Sequence, residues 1–263
     1  GISNNFISAI LVDSRNDVWI GTIDGLNRFN RSENTFASYR NDHRDPHSIS
    51  DNSILSLFED SFGVIWIGTN LGINKFDRNK INFIHYRAGR NNRLSHSSIT
   101  ALLKGKSSKV YIGTENGLNL FDPGTGRFNG DLNDKILLNN HAITSLCIDN
   151  RGNTWIGTVE KGIKILDSHH QLLNHYFPDS KTDPLSSGYV KAMLVDRSDR
   201  IWIGTDNGLN RHLEMDRFKK YIFKNPNPDP ELNSIEALCE AKDGGLLIGT
   251  DGGGFIKLGN DGD

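Results

Sequence analysis

The segment VWIGTIDGLNRF at Val18–Phe29 returns as IWIGTNLGINKF at Ile65, VYIGTENGLNLF at Val110, TWIGTVEKGIKIL at Thr154, IWIGTDNGLNRH at Ile201 and LLIGTDGGGFIKL at Leu246. The glycine of each IGT marks the repeat: Gly21, Gly68, Gly113, Gly157, Gly204 and Gly249, at intervals of 47, 45, 44, 47 and 45 residues. A period in this range is that of a β-propeller blade of about four strands. A β-branched residue stands 14 places before every marker: Ile7, Ile54, Ile99, Ile143, Val190 and Ile235. An offset that never varies means paired strands in fixed register, because a one-residue slip would turn every side chain to the wrong face. The expectation is an all-β chain, a β-propeller segment over 1–263 built of four-stranded antiparallel blades. Its six units run over about 1–47, 48–92, 93–136, 137–183, 184–228 and 229–263.

Each unit reads as four strands. The first (ISAILV and its counterparts) ends near an Asp at Asp13, Asp60, Asp149 or Asp196 and a short polar turn. The second is VWIGT, the third GLNRF, and the fourth carries aromatic pairs such as Phe36 and Tyr39. All four tryptophans occupy one column: Trp19, Trp66, Trp155 and Trp202, with Tyr111 and Leu247 in the other units. Two places after the β-branched column the residue is always small: Ala9, Ser56, Ala101, Ser145, Ala192 or Ala237. Features copied into every blade are packing features, so these aromatic and glycine columns read as structural.

With Lys+Arg 30, Asp+Glu 32 and a net charge of −2, the chain offers no global attraction to nucleic acid or anionic lipid. No window approaches the roughly 18 apolar residues of a membrane-spanning helix, so direct membrane insertion is not expected. The two cysteines, Cys147 and Cys239, share one apolar column with Leu11, Phe58, Leu103 and Leu194. Both read as buried free thiols.

WIGT..GLNRF preceded by D..G resembles the two-component regulator propeller repeat, and GISNNFISAIL is similar to that repeat's opening. The resemblance implies the periplasmic sensor region of a hybrid two-component histidine kinase, anchored in the inner membrane and controlling polysaccharide utilisation. It implies an oligosaccharide ligand, no catalysis in this segment, no metal and no cofactor. Its implied partners are a neighbouring propeller or immunoglobulin-like domain of the same chain, and a homodimer. Seven-bladed rings are usual in the family. The chain stops after the third strand of unit 6, so it reads as part of a larger ring or array.

Function is sought where the copies disagree. Strand alternation puts the links between units and the GT..G tips at one end. Exceptions to the repeat fall there: Phe6, His141 and Tyr189, together with Arg90 and Arg93 of an acid-free link. The tips add Asp24, Glu115, Asn116, Glu160, Asp206 and Asn207. Guanidinium, amide and carboxylate groups beside an aromatic face suit a sugar, and loops on a rigid scaffold are where binding concentrates. Two rivals stand beside the sensor reading: a propeller scaffold for protein contacts, and a glycan hydrolase or lyase. Hydrolysis needs two carboxylates facing one bond, and no such constellation is legible. The DNRGNTW run at Asp149 departs from the sialidase Asp-box in its Asp–Gly spacing and reads as a turn.

Overall fold

Strands form where the repeat places alternating β-branched, aromatic and small residues, and the computed structural model is built of strands and turns, with a single-turn 3-10 helix at Pro230–Asn233 leading into the last blade. The described residues are 1–78, 82–88, 94–105, 108–129, 138, 140–178, 185–213, 217–223 and 230–259. They fall into two compact units, Gly1–Asn140 and His141–Asp263.

The first unit holds three four-stranded antiparallel sheets, each in chain order. Blade 1 is β1 (Ile7–Val12), β2 (Val18–Thr22), β3 (Gly25–Asn30) and β4 (Thr35–Tyr39). Blade 2 is β5 (Ile54–Glu59), β6 (Ile65–Thr69), β7 (Gly72–Asp77) and β8 (Asn82–Tyr86). Blade 3 is β9 (Ile99–Lys104), β10 (Val110–Thr114), β11 (Gly117–Asp122) and β12 (Arg127–Asn129).

The second unit repeats the plan. Blade 4 is β13 (Ile143–Ile148), β14 (Thr154–Thr158), β15 (Ile163–Leu166) and β16 (Leu172–Tyr176). Blade 5 is β17 (Val190–Val195), β18 (Ile201–Thr205), β19 (Gly208–His212) and β20 (Phe218–Tyr221). Blade 6 has three strands, β21 (Ile235–Glu240), β22 (Leu246–Thr250) and β23 (Gly254–Leu258).

The register explains the invariant columns. In each first hairpin the small residue lies opposite the marker glycine, as in Ala9↔Gly21 and Ala192↔Gly204. The glycine faces the next blade: a Cβ on Gly21 would lie 2.5 Å from Ile54 Cγ2, on Gly157 2.6 Å from Val190 Cγ1, and on Gly204 2.5 Å from Ile235 Cγ2. The 14-residue columns are therefore two halves of one joint, the glycine of one blade receiving the β-branched side chain of the next.

The tryptophans are buried in the same joints. Trp19 packs edge-on against Phe76 of blade 2 at 5.2 Å, and Trp66 against Phe121 of blade 3 at 5.1 Å. Each also meets the tyrosine closing its own blade, Tyr39 at 6.1 Å and Tyr86 at 6.0 Å. Tyr111 is buried as well.

One expectation is corrected. Cys147 is buried, but Cys239 is exposed. Cys147 belongs to a core that includes Val190 and Ile201 of blade 5. Among the described residues of its unit, no further sheet lies against the equivalent face of β21.

Candidate functional site

At the tip end, Thr22 closes the β2–β3 hairpin by donating its hydroxyl to the Gly25 carbonyl (2.9 Å). Ser3, in the loop leading into the blade, meets Thr22 Oγ1 at 2.9 Å and donates its backbone N–H to Asn27 Oδ1 (2.9 Å). The Asn27 amide returns a hydrogen bond to Ser3 Oγ at 2.8 Å. The same lock recurs as Ser50–Thr69–Asn74, Ser95–Thr114–Asn119 and Ser186–Thr205–Asn210. It satisfies polar groups that would otherwise be buried without partners. In the sequence the Thr and Asn stand only as strand residues, and their constant offsets are the signal of the lock.

Blade 4 breaks the lock. Lys164 stands where blades 1, 2, 3 and 5 carry Asn, opposite Ile156 as Asn27 stands opposite Ile20. It is buried, and burial pushes its pKa below the usual lysine value. Across the strand pair lies His175, whose Nε2 is 2.8 Å from the Lys161 carbonyl and whose pKa is also lowered by burial. The β14–β15 tip of this blade carries Glu160 at φ 131°, a conformation that strains a side-chain-bearing residue.

The second unit brings several sequence-predicted residues together. The Gly188 carbonyl accepts hydrogen bonds from the backbone N–H groups of Glu160 (3.4 Å) and Gly162 (2.9 Å). The Tyr189 carbonyl accepts from Asp206 N–H (3.3 Å), and Asn207 Nδ2 donates to the Ser186 carbonyl (3.4 Å). The Ala142 carbonyl, next to His141, accepts from Val159 N–H (3.1 Å). Tyr189 is 37% exposed, and Lys191 Nζ lies 5.4 Å from its ring centre. Glu236 and Ser234 hold that ammonium in turn.

In the first unit, Phe6 is 64% exposed, Asp24 pairs with Arg40 at 2.8 Å, and Glu115 Oε2 lies 3.7 Å from His96 Nδ1. Asn116 Oδ1 accepts the backbone N–H of Asn140 (2.8 Å). Several polar tip residues therefore hold the loops in place. Arg90 and Arg93 lie outside the described residues.

The opposite end is built on a clamp. Trp19 Nε1 donates to Asp13 Oδ2 (2.8 Å), Trp66 to Asp60 (2.8 Å), Trp155 to Asp149 (3.1 Å) and Trp202 to Asp196 (2.9 Å). The other oxygen of each carboxylate caps the β-turn N–H groups. Where Tyr111 or Leu247 replaces Trp, Gly105 or Ala241 replaces the Asp. A buried indole N–H and its acceptor are kept or dropped as a pair.

Comparison with known proteins agrees with this geometry. Segments 1–24, 48–71, 137–160 and 184–207 match the family model of the two component regulator propeller. The chain carries two-component regulator propeller repeats. No curated protein matches it. Among solved structures, these repeats superpose on the extracellular domain of a protein assigned as a hybrid two-component system from B. thetaiotaomicron. The TM-score is 0.82 at 23% identity, covering 98% of this chain and 34% of that one. A second extracellular domain from the same organism, assigned to a one-component system, gives 0.64 at 20% identity, covering 98% and 42%. A catalytically inactive variant of virginiamycin B lyase from Staphylococcus aureus gives 0.75 at 12% identity, covering 97% and 82%. At these identities the likeness is one of fold. The chain spans about a third of the length of the first structure.

Proposed function

We propose that this chain is part of the periplasmic recognition region of a hybrid two-component sensor, that its ligand is an oligosaccharide, and that it does no chemistry on it. The observation that carries the reading is the run of two-component regulator propeller repeats over a fold that follows a two-component extracellular domain along 98% of this chain. The parent protein, on this reading, is anchored in the inner membrane, carries a histidine kinase and controls polysaccharide use. The ligand contacts the tip end, with Tyr189 offering an aromatic face and Asp206, Asn207, Glu160 and His141 offering polar partners. Arg90 and Arg93 join them if the glycan is acidic. The recognition surface extends to a neighbouring domain of the same chain or to a second copy.

The test is a glycan array followed by titration calorimetry on the chain and on Tyr189→Ala. Saturable binding without turnover, weakened about tenfold in the variant by loss of stacking area, is the expected outcome. Cleavage of the bound glycan would move the protein to the lyase or hydrolase class. A protein interface at the tips with no glycan bound would make it a scaffold.

A further inference from the structure

The turn end of the second unit, opposite the tips, contains a groove of about 550 Å³ between blades 4 and 5. Its counterpart between blades 1 and 2 measures about 280 Å³. Two substitutions at equivalent positions and one change of partner distinguish the two. Phe76, which lies 5.2 Å from Trp19, corresponds to His212, which lies 5.0 Å from Trp155. Asp13 receives Arg78 Nη2 from blade 2 at 2.8 Å, and that guanidinium also reaches Glu59. Asp149 instead takes Asn153 Nδ2 of its own turn at 2.9 Å. Finally, Gly63 corresponds to Asp199, whose Oδ1 accepts the Asn150 backbone N–H at 3.2 Å and bridges the two turns.

The result is a groove with an imidazole, a phenol and two carboxylates (Asp149 and Asp199) on its walls, and the Arg151 guanidinium and Asn150 and Asn174 amides around them. The Tyr176 hydroxyl and His212 Nε2 lie 3.4 Å apart across the blade joint. Apolar edges of Trp155 and Leu173 complete the lining. Its size is within the range of small-molecule sites, which combine apolar walls with a few convergent polar groups. Donors and acceptors are mixed, as vicinal hydroxyls require. Both signs of charge are present, with no single-sign field to select an ion.

We propose that this groove is a second binding site, separate from the tips, for a neutral polyhydroxylated ligand of one or two sugar rings. His212 and Tyr176 form its floor and Arg151 its rim.

The deciding variant is His212→Phe. It installs the residue found at this register position in blades 1, 2 and 3 (Phe29, Phe76 and Phe121), so the fold tolerates it while the groove loses its central polar group. The probes are maltose, cellobiose, xylobiose, mannobiose and lactose, followed by saturation-transfer NMR and calorimetry on the whole chain. At least one should bind saturably, and His212→Phe should weaken it by about tenfold or more, as loss of a site's central, half-buried polar partner does. Arg151→Ala, at an exposed position, should weaken the same sugar by about threefold with an unchanged melting temperature. A disaccharide bound equally by the wild type and both variants overturns the groove. If that binding is lost in Tyr189→Ala, the tip-end reading stands alone. No saturable binding of any of the five overturns the groove as a saccharide site, while longer glycans on the array still test the sensor reading separately.

Discussion

A single indole accounts for much of what holds two blades together. Trp66 is fully buried, meets Phe121 of the next blade and Tyr86 of its own, and gives its N–H to Asp60. Truncation would remove that apolar area and take the indole partner from Asp60 Oδ2. Trp66→Ala should therefore cost about 3–5 kcal/mol in denaturant unfolding, and a loss below about 1 kcal/mol would mean the joint is not built on this residue. The carboxylates of the clamp make stability depend on pH. Burial by itself would raise the Asp196 pKa, but the Trp202 indole N–H, the Arg200 backbone N–H and the Arg200 guanidinium outweigh it and hold the value below 3.8. A depressed folded-state pKa gives stability that is complete above the unfolded value of 3.8 and is lost as pH falls through the lower folded value. Asp196→Asn keeps an acceptor for the indole and removes the titration. Its stability should change less than that of the wild type between about pH 5 and pH 2, and parallel curves would remove Asp196 from the account.

At the scale of the blade, the glycine marker is explained by what faces it, and the explanation is different at the end of the second unit. A Cβ on Gly21 would lie 2.5 Å from Ile54 Cγ2 of the next blade and 3.5 Å from Ala9 Cβ of its own, whereas on Gly249 its nearest neighbour would be Ala237 Cβ at 3.5 Å. Gly21→Ala should destabilise by about 1–3 kcal/mol through overpacking. Gly249→Ala should be within about 0.5 kcal/mol of the wild type or stabilising, because alanine restricts the unfolded chain more than glycine does. Equal effects in thermal unfolding would show that the column is set by the hairpin and not by the blade joint. The polar lock at the tips has the same logic. Ser50, Thr69 and Asn74 satisfy one another inside one blade, which is why the GT..GLN spacing is rigid where it occurs. Blade 4, with Lys164 in the Asn position and a longer tip, departs from it as a set.

At the scale of the whole molecule, the packing between blades in each unit joins sequence neighbours, β1 to β5 to β9 and β13 to β17 to β21, so position in the array decides what a given column experiences. The two cysteines are the cleanest readout. Cys147 is covered, and burial pushes its thiol up to about 12. Cys239 occupies the same strand position and is exposed. A thiol reagent at neutral pH should label Cys239 within minutes and leave Cys147 unmodified until denaturant is added. Rapid labelling of both, or of neither, would contradict this difference in cover.

The blade plan was legible without coordinates because its columns are periodic and its offsets constant. Gly21, Ala9, Ile54 and Trp19 each recur with a spacing that only paired strands in a fixed register can produce. The bonded partners were also encoded, as the joint loss of Asp and Trp in blades 3 and 6 shows, but a column of identities does not say which atoms meet. The burial difference between Cys147 and Cys239, the use of tip residues such as Asn116 and Asp24 to hold loops, and the groove beside His212 came only from the tertiary structure. Each depends on which blade lies next to which face, and on the space left when a phenylalanine becomes a histidine two strands away. Local sequence fixes strand and register through side-chain alternation. Cover, contact and cavity are set by neighbours distant in the chain.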